Sequence, residues 1–69
     1  MDAEHDFQEA LARNPRDARA MVGLARIAES KGNVPEAINL YARALSIEPN
    51  LAEARAALSK ALGGMPANH

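Results

Sequence analysis

ARAMVGLARIAESKGNVPEAINLYARALSIEPNL, residues 18–51, reads as two amphipathic helices joined by a tight turn. Met21, Leu24, Ala25 and Ala28 recur at helical spacing, with Ile27 beside them. The helix they define runs from about Ala18 to Lys31. Gly32 stops it, because glycine takes the left-handed conformation beyond a helix end at no steric cost. The next helix opens at Asn33, and Asn33-Val34-Pro35-Glu36 reads as a variant capping box with proline tolerated in the first turn. Its apolar face is Ala37, Ile38, Tyr41, Ala44 and Leu45. Glu48-Pro49-Asn50 ends it, since a residue before proline avoids the α region.

The same signals recur on either side. Phe7, Ala10 and Leu11 mark an apolar face on a helix from about Ala3 to Arg13, which Asn14-Pro15 ends. Asp17 is placed to cap the following helix by accepting from its free backbone N–H groups. Asn50-Leu51-Ala52-Glu53 repeats the capping pattern and opens a fourth helix to about Leu62. Gly63-Gly64-Met65-Pro66 breaks that helix, and 65–69 reads as a flexible tail.

Composition supports four helices and little else. Sixteen of the 69 residues are alanine, the best helix former, and the β-branched residues are only Val22, Val34, Ile27, Ile38 and Ile47. A β-sheet fold is thereby nearly excluded. The 7.4 kDa chain carries no cysteine, which removes disulfides and thiolate metal sites. No apolar run approaches the roughly 18 residues of a membrane span, and the acidic start Met1-Asp2-Ala3-Glu4-His5-Asp6 is no secretory leader. That favours a cytoplasmic location. Six of the eight cations are arginine, which with the alanine content suggests a GC-rich bacterial gene. A net charge of −1 gives no basic surface for nucleic acid.

Sliding the sequence along itself reveals one period. At an offset of 34, Ala3 matches Ala37, Ala10 matches Ala44, and Leu11 matches Leu45. Pro15 matches Pro49, Ala18 matches Ala52, Ala20 matches Ala54, and Leu24 matches Leu58, while Phe7 meets Tyr41. A 34-residue helix–turn–helix period resembles the tetratricopeptide repeat. Met21, Leu24, Ala25, Ala28, Ala37, Tyr41, Ala44 and Pro49 stand at the positions of that family's pattern. Ala28 stands where a large apolar or aromatic residue is usual, and Arg55 where tryptophan or leucine is usual.

The resemblance implies an all-α fold. It consists of helix-turn-helix hairpins whose four antiparallel helices form a short right-handed superhelix, an α-solenoid segment. Residues 1–64 would be one domain. It would hold a half repeat over 3–17, a full repeat over 18–51 and a C-terminal capping helix over 52–62, the cation Arg55 suiting an outer face that meets water. Such units cannot bury their faces alone, and about three are usual. The chain is therefore expected to be a piece of a longer protein, a homodimer through the unpaired N-terminal helix, or four helices that just suffice.

The implied function is non-catalytic protein–protein interaction, with a partner peptide or helix held in the groove lined by the first helix of each hairpin. Carried onto this chain, that groove is Arg19, Val22, Gly23, Arg26 and Ser30, joined by Glu53, Ala56, Ala57 and Lys60. Gly23 and the alanines would form a shallow floor, with Arg26 and Lys60 above it to hold a carboxylate. Val22, Gly23 and Arg26 do not reproduce the Lys/Asn set with which chaperone-binding members hold a C-terminal carboxylate. Self-association is the alternative function, with Met21 either in the core or in an exposed patch for it.

No residue set points to catalysis, a metal or a cofactor. His5 and Glu9 share a helix face but offer too few ligands, and the acids around them suit a helix start. Ser30, Ser46 and Ser59 lie in no nucleophile motif, and Gly63-Gly64 is no phosphate loop. A rival reading makes Ile27 to Val34 the turn of a DNA-binding helix-turn-helix. Its reading helix would offer Glu36, Asn39 and Arg43, with one cation, and it leaves the 34-residue period unexplained.

Overall fold

The computed structural model describes residues 2–63. These form four helices: α1 Ala3–Arg13, α2 Ala18–Ser30, α3 Val34–Ile47 and α4 Ala52–Gly63. No strand occurs among the described residues. Each helix packs mainly on its neighbours in the chain, giving a slab of 41 × 25 × 14 Å. No described helix is long and apolar enough to cross a membrane. The tail expected over 65–69 lies outside the described residues.

The 34-residue period reappears in backbone geometry. Asn14 ends α1 with φ −139° and ψ 94°, and Glu48 ends α3 with φ −129° and ψ 89°. Both precede proline, which forces the extended conformation. Asp17 N–H donates to the Asn14 carbonyl at 3.0 Å, and Leu51 N–H donates to the Glu48 carbonyl at 3.1 Å. Two equivalent stretches thus make the same corner.

The helix ends are satisfied unequally. Asp17 caps α2, its side chain accepting from Ala20 N–H at 3.1 Å. Asp2 does the same for α1 through Glu4 N–H at 3.2 Å. At the end of α2, Gly32 has φ 81°. Its N–H donates to the Glu29 carbonyl at 2.9 Å, and Asn33 N–H donates to the Ala28 carbonyl at 2.8 Å. This pair of bonds is the Schellman arrangement that a glycine at that place permits.

Two capping expectations are corrected. The Asn33–Glu36 box does not form, because Asn33 N–H is already committed to Ala28 at the close of α2. Asn33 makes no side-chain capping bond, and its side-chain amide donates instead to Glu36 Oε1 at 2.7 Å. Before α4, the capping position falls to Leu51 rather than Asn50. Leu51 is the repeat equivalent of Asp17, and its carbonyl accepts from Arg55 N–H at 3.0 Å.

The core lies between α2, α3 and α4. Ala25, Ala37, Ala44, Ala54 and Tyr41 are fully buried. The alanines stand where helices cross, and their small side chains allow close approach. Tyr41 fills the space they leave and sends its hydroxyl to Glu29 Oε1 at 2.9 Å. Met21 is buried, so it belongs to the core rather than to an exposed patch. Leu40 is buried too, although the expected face of α3 passed it over in favour of Ile38, which is half-buried. Helix α1 has no fully buried residue, since it packs chiefly on α2. Phe7 and Leu11 are half-buried there.

Candidate functional site

Helices α2 and α4 bring part of the expected groove together. Arg19, Val22, Leu51 and Glu53 line a shallow depression of about 370 Å³. Its floor is apolar: Val22 is buried and Leu51 half-buried. Arg19 and Glu53 are exposed and supply its charge. Beside it, Arg26 Nη1 donates to Glu53 Oε2 at 2.6 Å, joining α2 to α4. The side chains of this pair are 67% and 56% exposed, so water screens it and it contributes under about 1 kcal/mol.

Other expected groove residues are differently placed. Gly23 is half-buried beneath Phe7, and a Cβ there would overlap the Phe7 ring. The glycine serves the approach of α1 to α2. The Ser30 hydroxyl donates to the Ile27 carbonyl at 2.9 Å, inside its own helix. Lys60 and Ala56 are exposed on α4, and Ala57 is half-buried. None of these three lines the depression. Leu51 lines the depression, although the sequence places it within a capping pattern. Its signal was an apolar residue at the place where the preceding repeat has Asp17.

Two further depressions flank the helices. One of about 310 Å³ has Leu24, Ile27, Ala28 and Leu40 in its lining. Lys31 Nζ donates to Glu4 Oε1 at 2.8 Å at its edge, and this hydrogen bond raises the Lys31 pKa. Ala28 is the residue that replaces a larger one in the repeat pattern. The other depression, about 600 Å³, is lined by Leu45, Arg55, Leu58, Ser59, Leu62 and Gly63.

The Tyr41 phenol has a shifted ionisation. Burial, then its bond to the Glu29 carboxylate, pushes its pKa up to about 12. The shift keeps the buried phenol neutral at ordinary pH. Among the described residues, no three His, Cys, Asp or Glu side chains gather as a metal site would need.

Helical hairpins stacked in chain order with a 34-residue period define a solenoid-like, all-α repeat protein. A family model described as Tetratricopeptide repeat matches residues 1–52, and the chain belongs to that family. No curated protein and no solved structure matches it significantly. Repeats of this family generally mediate protein–protein interaction and are typically non-catalytic.

Proposed function

We propose that the chain binds a peptide or helix of another protein across α2 and α4, at the depression formed by Arg19, Val22, Leu51 and Glu53. The observation that carries this reading is an apolar floor bordered by charges of both signs. An apolar side chain of the partner would rest on Val22 and Leu51. A neighbouring carboxylate would accept from the Arg19 guanidinium, which makes no ion pair among the described residues. Arg26 would contribute only by exchanging Glu53 for a partner acid. Lys60 and Ala56 would widen the contact along α4, and Gly23 and Ser30 would shape α2 without touching the partner.

The test begins with peptides selected from a displayed random library against the 69-residue chain. Bound peptides should shift the amide resonances of Arg19, Val22, Leu51 and Glu53. Arg19→Glu and Leu51→Glu should each weaken binding by about tenfold or more, a loss of about 1.4 kcal/mol. Shifts clustered away from these residues, with affinity intact in both variants, would refute the proposal.

A further inference from the structure

Two heptad steps run along the side of α2 that faces α4. Arg19 and Arg26 are seven residues apart, and so are Val22 and Glu29. A step of seven returns to the same side of a helix within about 20°. Arg26 reaches Glu53 of α4, and Val22 lies in the floor of the depression beside that pair. Glu29 therefore stands on the groove side, two turns beyond Val22. Helix α3 supports this placement from below. Tyr41 is fully buried and donates its hydroxyl to Glu29 Oε1 at 2.9 Å. The charges of Arg26 and Glu53 also act on this phenol, so its hydroxyl, Glu29 and the ion pair share one side of the hairpin.

Charge gives this face a direction. Arg26 and Glu53 answer one another, and their charges cancel. Arg19 and Glu29 are both exposed, and neither makes an ion pair among the described residues. They are ten residues apart on one helix, which is about 15 Å along its axis. The face thus runs from a cation, over the apolar Val22 and Leu51, to an anion. Glu29 uses one oxygen for Tyr41, and a carboxylate has further acceptor sites for a second donor. An extended chain rises about 3.3 Å per residue and turns alternate side chains to one face. Its side chains at i, i+2 and i+4 span about 13 Å, which the reach of charged side chains extends to the distance from Arg19 to Glu29.

We propose, resting on the partner-binding reading above, that the bound segment is extended and carries an acid, an apolar residue and a base at alternate positions. The acid meets Arg19, the apolar residue rests on Val22 and Leu51, and the base meets Glu29. Glu29 is then the residue that selects the partner's cation. A segment with acids at both ends would place like charge against Glu29. One with bases at both ends would place like charge against Arg19, so the face rejects both.

Three displayed peptide libraries test this, with fixed residues at alternate positions and random residues between them. The first fixes acid, apolar, base in both chain orders; the second fixes acid, apolar, acid; the third fixes base, apolar, base. The 69-residue chain should enrich binders from the first, and these should shift the amide resonances of Val22, Glu29 and Leu51. Replacing the base of the tightest peptide by glutamine should weaken its binding about fivefold, as expected for a charge-assisted bond at an exposed site. Added salt should narrow that difference. Glu29→Gln keeps an acceptor for the Tyr41 hydroxyl and removes only the charge, and circular dichroism should report unchanged helix content. In that variant the two peptides should bind within about twofold of each other. Equal enrichment from all three libraries, or a fivefold preference that persists in Glu29→Gln, would overturn the proposal, while shifts at Val22 and Leu51 would still uphold the groove. Binders from no library at Val22 and Leu51 would overturn both.

Discussion

The Phe7 ring of α1 occupies the space that a side chain at residue 23 of α2 would need. Glycine within a helix costs about 1 kcal/mol relative to alanine. Here that cost is offset by the burial of an aromatic ring. Gly23→Ala should therefore destabilise the fold by about 1 kcal/mol, because Phe7 must swing out and lose apolar burial. In a Phe7→Ala background the same change should reverse sign and stabilise by up to about 1 kcal/mol. Urea unfolding of the four chains checks the cycle. Additive effects would show that Phe7 and Gly23 are not coupled.

Tyr41 should make stability depend on alkaline pH. Its pKa in the folded chain is about 12, above the ordinary value of 10.0. The native state therefore holds a proton that the unfolded state releases between these values. Stability is full below pH 10 and falls as pH rises toward 12, by about 3 kcal/mol in all for a shift of two pH units. Tyr41→Phe should cost about 1 kcal/mol at neutral pH through the lost bond to Glu29. It should also abolish most of the alkaline fall. Thermal melts of both chains from pH 8 upward decide this, and a fall that persists in the variant would assign it to other groups.

The two asparagine and aspartate caps should differ in value. Asp17 accepts from Ala20 N–H, so Asp17→Ala should lose about 1 kcal/mol. Asn33 makes no capping bond, and Asn33→Ala should change stability by under about 0.5 kcal/mol. Equal losses in chemical denaturation would mean that Asn33 caps α3 in solution.

Ala28 is 6% exposed and lines a depression of about 310 Å³. Ala28→Leu has room for its added methyl groups beside Leu24 and Leu40. It should stabilise by about 1 kcal/mol, near the value of one or two buried methylene groups. Destabilisation in the same unfolding measurement would mean that the space is closed in solution.

The helices were legible because their signals are local. Asn14-Pro15 and Glu48-Pro49 act on the backbone of adjacent residues, and Gly32 supplies a φ of 81° that other residues rarely adopt. The capping box failed for a reason outside its own four residues. Asn33 N–H was needed by α2, and a motif read on one helix does not show what the preceding helix takes. The candidate groove was legible only in part. Helical spacing placed Arg19, Val22 and Glu53, but Leu51 joins them through the corner after α3. The role of Gly23 depended on which helix crosses it, and spacing along α2 carries no such information.

By itself the sequence determined four helices, their turns and the 34-residue period that places the chain in its family. Those properties follow from steric limits on adjacent residues and from apolar spacing along one helix. Only the tertiary structure decided that Phe7 covers Gly23, that Glu53 meets Arg26 across 27 residues, and that the Tyr41 hydroxyl finds Glu29. These depend on the angles and distances between helices. Such distances are set by how small alanines and one buried tyrosine pack together, which no single stretch of chain encodes.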